Sequence, residues 1–166
     1  MTAVARDSGA GLILMHMRGT PQTMTKLTDY ADLFGELNAS FAAMLQQSRA
    51  AGIAEECVVL DPGIGFAKTA EQSLRLINGL DRFLGHGRPL LLGPSRKSFI
   101  GKVLDQPDPT QRVWGTGAAV AVGLVRGARL LRVHDVAEMR QVRDLTMAIL
   151  NSEPTTLTQQ QMQQQQ

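Results

Sequence analysis

Four times along this chain a short apolar run gives way to a polar or Gly/Pro cluster and then to a helical stretch. The runs are Leu12-Ile13-Leu14-Met15, Cys57-Val58-Val59-Leu60, Pro89-Leu90-Leu91-Leu92 and Leu130-Leu131-Arg132-Val133. Each is nearly continuous in apolarity, as a parallel strand buried on both faces should be. After the first run, Tyr30, Leu33, Phe34, Leu37, Phe41, Met44 and Leu45 recur at three- and four-residue spacing, and Gly52 supplies a stop. Leu74 and Ile77 mark a shorter helix, interrupted at Gly79 and closed by the Gly85-His86-Gly87 loop. A further helix is expected over Thr110 to Val125, carrying Val113, Trp114, Val120, Ala121 and Leu124. Its glycines 115, 117 and 123 are weak helix formers and point to close packing against a neighbour. Asp135 followed three residues later by Glu138 reads as a capping box. It opens a last helix with Val136, Met139, Val142 and Ile149 on one side. Four strand–helix alternations mean a parallel sheet covered by helices. An open doubly wound sheet and part of a barrel both satisfy the pattern.

Length and composition narrow the class. The chain has 166 residues, 43% of them hydrophobic and 19% charged, the balance of one globular domain. A closed eight-stranded α/β barrel takes about 250 residues. The formal net charge of +2 gives no ground for expecting a nucleic-acid partner. Cys57 is the single cysteine, so no intrachain disulfide can form, which fits a reducing compartment. No apolar run approaches the ~18 residues of a membrane span, and the segment before Leu12 lacks the basic leader and cleavage site of a signal peptide. Cytoplasm is the expected location. From Thr155 the sequence is polar and dominated by Gln, so residues 152–166 are expected to be a disordered tail behind a domain of residues 1–151.

In both architectures ligands sit at the C-terminal ends of the strands. The chemistry of this chain gathers there. The loops are Met15-His16-Met17-Arg18-Gly19-Thr20-Pro21, Asp61-Pro62-Gly63-Ile64-Gly65-Phe66-Ala67-Lys68, Gly93-Pro94-Ser95-Arg96-Lys97-Ser98 and Arg132-Val133-His134-Asp135. Singly, each has a plain structural reading. Asp61 can cap its own Pro-Gly turn, Gly63 and Gly65 can serve backbone geometry, and Ser95-Arg96-Lys97 can be an exposed charged turn. The next residues, Ser98-Phe99-Ile100, look like a helix start. His16 and His134 read as hydrogen-bonded structural residues, since no second ligand stands at metal spacing. Together, the loops offer a carboxylate, two cationic segments and an apolar wall from Met15 and Phe66. That set suits a flat polar heterocycle carrying an anion. A carboxylate can accept two parallel N–H bonds from a 2-amino-4-oxo ring, and Lys97, Arg132 and His134 can neutralise a polyphosphate.

In order and spacing, these four loops closely resemble the second-half motifs of bacterial dihydropteroate synthases, and the resemblance covers roughly residues 3 to 150. It implies strands five to eight of a (β/α)₈ barrel, that is, a partial barrel. It also implies a transferase of folate biosynthesis. That reaction joins 4-aminobenzoate to 6-hydroxymethyl-7,8-dihydropterin diphosphate and releases pyrophosphate, with Mg²⁺. By the same resemblance Asp61 holds the amino and N–H edge of the pterin, Lys97 its carbonyl and ring nitrogen, and Met15 and Phe66 line the slot. Ser95 and Arg96 lie near the aminobenzoate. Arg132 and His134 bind the departing pyrophosphate. The implied mechanism is leaving-group stabilisation, with the neutral amine attacking a carbocation-like methylene. Cys57 has no role in it.

The family's first-half motifs are not found in this sequence. They supply an asparagine that helps hold Mg²⁺, loops that complete the aminobenzoate site, and further pterin contacts. Pro94 stands where the family usually has another apolar residue. Catalysis by this chain alone is therefore not expected. A four-stranded half-barrel exposes two sheet edges, so a homodimer or a complementing N-terminal half is an expected partner. The alternatives are a non-catalytic half-barrel module and a pterin-dependent methyltransferase segment. The Ser95-Arg96-Lys97 and Arg132-Val133-His134 motifs, suited to a diphosphate leaving group, speak against the methyltransferase.

Overall fold

The computed structural model describes residues 2–152. Apart from Ser152, the expected Gln-rich tail lies outside the described residues. Helix α1 (Thr2–Ser8), which the apolar pattern did not mark, leads into β1 (Leu12–Met15). Then follow α2 (Leu33–Ala50), β2 (Val58–Asp61), α3 (Ala70–Asn78), β3 (Leu90–Leu92), α4 (Ser98–Leu104), α5 (Val113–Val125), β4 (Ala128–Leu131) and α6 (Val136–Asn151). All three strand pairs are parallel, and spatial order equals chain order, β1-β2-β3-β4.

That order decides between the two architectures. Right-handed crossovers that always step the same way stack their helices on one face of the sheet. A doubly wound sheet reverses its strand order at a switch point, and no reversal occurs here. The chain is a singly wound run of four βα units, the geometry of a barrel wall.

The core lies between the sheet and its helices. Leu37 and Phe41 from α2, Leu76 from α3, Leu80 and Phe83 from the following 3₁₀ turn, and Leu60, Leu90 and Leu92 from the strands are fully buried. Phe41 meets Phe83 edge-on, with centroids 5.3 Å apart. Helix α3 starts on a true capping box: the Thr69 hydroxyl accepts from the Gln72 backbone N–H, and the Gln72 side chain accepts from the Thr69 N–H. The glycines of α5 do bring neighbours close. A Cβ at Gly115 would collide with Ile100 and Leu104, one at Gly123 with Leu92, and one at Gly117 would press on Val142 of α6.

Several expectations need correction. The second strand begins at Val58, because Glu55–Cys57 forms a 3₁₀ turn, and it includes Asp61. The fourth is Ala128–Leu131, two residues upstream of the expected run: Ala128 follows Gly127, whose φ of 95° turns the chain into the sheet. Arg129 hides this start from an apolarity count. Burial on both faces holds for β3 but not for the outer strands, where Ile13 is 51% and Leu130 37% exposed. Tyr30 precedes α2 rather than lying in it. Asp135 sits at the N-cap of α6 but makes no capping bond, because its carboxylate is taken by Arg96. Trp114 is 85% exposed, and Val136 and Ile149 also face outward, leaving Met139 as the buried residue of α6. No helix among the described residues is long and apolar enough to cross a membrane.

Candidate functional site

The strand ends carry the expected residues to one rim. Asp61 ends β2 in register with Met15 at the end of β1. The β1–β2 ladder continues one step further, with His16 N–H donating to the Asp61 carbonyl at 2.9 Å. Asp61 is 9% exposed, and its Oδ1 accepts from the Gly63 N–H at 2.7 Å. Burial pushes this carboxyl above the usual range. The Gly63 N–H and the charges of Lys97, Lys68 and Arg132 oppose that shift. The other carboxylate oxygen accepts no hydrogen bond among the described residues. The turn after Asp61 needs glycine: Gly63 has a φ of 67°, and a Cβ there would run into the His16 carbonyl oxygen.

Lys97 stands beside this carboxylate. Its ammonium lies 4.6 Å from the centre of the Phe66 ring and donates to the Ile64 carbonyl. Burial lowers its pKa to about 8, against the pull of Asp61. None of the ion pairs among the described residues involves Asp61, Lys68, Lys97 or Arg132. A carboxylate with a free oxygen and nearby unpaired cations is a site arranged for something other than its own charges.

The third and fourth loops are tied together. Ser95 is buried. Its Oγ accepts from the His134 N–H at 3.1 Å and lies 2.9 Å from His134 Nδ1. Arg96 does not reach into the site. Its guanidinium makes a two-pronged bond to Asp135, with Nε to Oδ2 at 3.0 Å. Arg96 also adopts a left-handed φ of 58°, unusual for a residue with a Cβ. Arg132 and His134 are exposed at the rim, and the Arg132 N–H donates to Leu92 O at 3.0 Å. Met15 and Phe66 are half-buried. The expected site residues thus share one rim, except that the Arg96 side chain is diverted to Asp135.

Sequence reasoning overlooked three supporting groups. Arg112 is buried and donates to three backbone carbonyls, those of Arg96, Gln106 and Pro107. The Thr116 hydroxyl accepts from the Arg96 N–H at 3.1 Å. Lys68 is buried behind Asp61, with Nζ 3.1 Å from His16 Nδ1 and 2.9 Å from the Phe66 carbonyl. Only Lys68 had a local signal, as the residue closing the glycine-rich loop. Thr116 and Arg112 lie 20 and 16 residues from the Arg96 backbone that both hold, beyond any local pattern. His16 is a hydrogen-bonded buried histidine, as expected. No group of three or more His, Cys, Asp or Glu among the described residues could hold a metal ion. Cavities of about 550 and 420 Å³ lie elsewhere, one against Arg75, Arg82 and Arg126, the other an apolar groove among α3, α4 and α5. Neither cavity is lined by the strand-end residues, which together form the shelf discussed below.

A singly wound parallel sheet with a carboxylate, a lysine and an arginine gathered on one rim defines part of an α/β barrel wall. The chain belongs to the pterin binding enzyme family, whose model matches residues 1–134. It is similar to a dihydropteroate synthase from Synechocystis, 56% identical over 140 residues that cover 84% of this chain and 48% of the relative. Among solved structures it is similar to the dihydropteroate synthase of Stenotrophomonas maltophilia, 33% identical with a TM-score of 0.88, over 92% of this chain and 57% of that one. The Thermus thermophilus dihydropteroate synthase solved with 4-aminobenzoate is 39% identical with a TM-score of 0.86, over 91% of this chain and 61% of that one. The chain spans about half the length of the curated relatives it matches. Its fold is correspondingly part of the barrel of those enzymes.

Proposed function

We propose that this chain is the pterin-gripping part of a dihydropteroate synthase. The intact enzyme would condense 6-hydroxymethyl-7,8-dihydropterin diphosphate with 4-aminobenzoate to 7,8-dihydropteroate and pyrophosphate. The observation that carries this reading is the free oxygen of buried Asp61 beside the unpaired ammonium of Lys97 on the Phe66 ring. Asp61 would accept the amino and ring N–H of the pterin. Lys97 would donate to its carbonyl and ring nitrogen, and Met15 and Phe66 would flank the ring. Arg132 and His134 would draw off the pyrophosphate, with Ser95 fixing the His134 ring. Arg96, held by Asp135, would border the aminobenzoate through its backbone and turn rather than through a free guanidinium.

Magnesium remains an expectation from the resemblance. The described residues do not gather ligands for it, since Asp135 is committed to Arg96 and Asp61 stands without a second carboxylate. The outer edges of β1 and β4 pair with no strand among the described residues, and Ile13 and Leu130 are exposed beside them. These edges favour a partner half that completes the wall, either a complementing N-terminal half or a second copy. A cytoplasmic setting belongs to the same proposal.

The reading is tested by fluorescence titration of the chain with 6-hydroxymethylpterin and by a condensation assay. The chain alone is expected to bind the pterin and to form no dihydropteroate. Supplied with the N-terminal half of a relative, it should turn over. Asp61→Asn should weaken pterin binding by roughly 100-fold, the loss of two charge-assisted hydrogen bonds, and Lys97→Ala should remove most turnover of the complemented enzyme. Equal pterin affinity in Asp61→Asn and the parent would overturn the assignment.

A further inference from the structure

Behind the pterin shelf lies a buried cation that the proposed chemistry does not use. Lys68 is 8% exposed, yet its ammonium has no carboxylate within ion-pairing distance. Its bonds go to neutral acceptors, His16 Nδ1 at 3.1 Å and the Phe66 carbonyl at 2.9 Å. His16, 4% exposed, is held in turn by its N–H to the Asp61 carbonyl. Tyr30, whose hydroxyl donates to the Ala67 carbonyl at 3.0 Å, closes the same layer. Lys68 therefore bridges the loop after β1 to the loop after β2, at the residue whose ring flanks the pterin slot. A buried lysine without a counter-ion costs stability and needs a compensating use.

We propose that Lys68 is a positioning residue. Braced by His16 Nδ1, it fixes Phe66 through its carbonyl and supplies the Asp61 carboxylate with an interior counter-charge that it does not touch. The inference rests on the reading of Asp61 and Phe66 as the pterin shelf. With Lys68 donating to Nδ1, a neutral His16 carries its proton on Nε2. The charged groups facing Lys68 are Arg18 from the loop after β1, Asp61 from β2 and Lys97 from the loop after β3; His16 and Tyr30 complete the titratable set. Burial lowers the Lys68 pKa to about 7, Asp61 pulls it back up, and Lys97 and Arg18 push it down. The coupling is reciprocal, since Lys68 in turn lowers the pKa of Asp61.

The test reads that coupling in the whole chain without any ligand. Carboxyl ¹³C NMR follows Asp61, assigned by its loss in Asp61→Asn, and Cε ¹³C NMR follows Lys68. In Lys68→Met the Asp61 midpoint should rise by about half a unit or more. In Asp61→Asn the Lys68 midpoint should fall by a similar amount, and this second arm stands even where the buried Met variant does not fold. His16→Asn, which keeps an acceptor near the Nδ1 position, should behave as the parent, whereas His16→Leu should shift the Lys68 midpoint. 6-hydroxymethylpterin should bind about tenfold more weakly to Lys68→Met at pH 6, and this gap should narrow at pH 9, where the parent's lysine is already neutral. Unchanged midpoints for Asp61 in Lys68→Met or for Lys68 in Asp61→Asn would overturn the inference. A parent chain that shows the coupling but binds no pterin would count against the proposed function instead.

Discussion

Replacing Gly63 by alanine tests whether the shelf depends on one close backbone approach. Two costs arise. An alanine at a φ of 67° sits in the left-handed region, at about 1 kcal/mol relative to glycine. Its Cβ would also lie far closer than 3.0 Å to the His16 carbonyl oxygen, a backbone atom with no rotamer to change. His16 is itself pinned through its N–H to Asp61, and the Gly63 N–H is pinned to the Asp61 carboxylate, both inside 3 Å. Relieving the collision breaks one of these bonds, one neutral and one to a charge, for roughly another 2 kcal/mol. The sum is about 3 kcal/mol. Gly87→Ala separates the two costs, because Gly87 has a φ of 66° and nothing within 4 Å of an added Cβ. Urea unfolding followed by circular dichroism should show Gly87→Ala losing about 1 kcal/mol and Gly63→Ala about three times that, at unchanged slope. Gly63→Ala should also weaken pterin binding, since the carboxylate loses its anchor. Equal losses in the two variants would refute the close-approach argument.

Arg112→Met should destabilise the chain by about 2 kcal/mol, because three partly buried backbone carbonyls lose their donor; Arg112→Lys should recover only part of the loss, and the urea midpoint measures both. Thr116→Val should cost about 1 to 2 kcal/mol by leaving the Arg96 N–H unpaired, with the same readout. His16 gives a pH dependence. Burial, Lys68 and Arg18 lower its pKa to about 4 from 6.5, so below pH 6.5 the unfolded chain binds the extra proton. Its neutral form therefore stabilises the fold above pH 6.5, and that contribution is lost as pH falls toward 4. The parent should lose more stability than His16→Asn over this window, on the order of 2 to 3 kcal/mol, and parallel curves would contradict it.

The repeating apolar runs gave the number of strands and their places along the chain, and the loops behind them gave the candidate site, because a buried parallel strand and a turn rich in glycine both write themselves locally. The errors came where tertiary contacts overrode local preference. Arg129 concealed the true start of β4, and Asp135, a good cap by type and spacing, was drawn off by Arg96, 39 residues away. Arg112 was invisible for the same reason. Its partners are carbonyl oxygens, which carry no side-chain signature at all. Lys68 was legible as a position but not as a buried one, since a lysine ending a loop normally reads as solvated.

The hold of α5 on the turn at Arg96 has a kinetic consequence. Arg96 keeps its left-handed backbone because Arg112, just before α5, and Thr116, in its first turn, grip it from both sides. Without that grip the turn would relax toward ordinary φ within the time of loop motion. The lifetime of the Ser95–Lys97 arrangement is therefore borrowed from the helix. The amides of this turn and of the first turn of α5 should open together in hydrogen exchange, as one cooperative unit. A loosened α5, even at a glycine facing away from the rim, would scatter the three residues on which the shelf's far side is built.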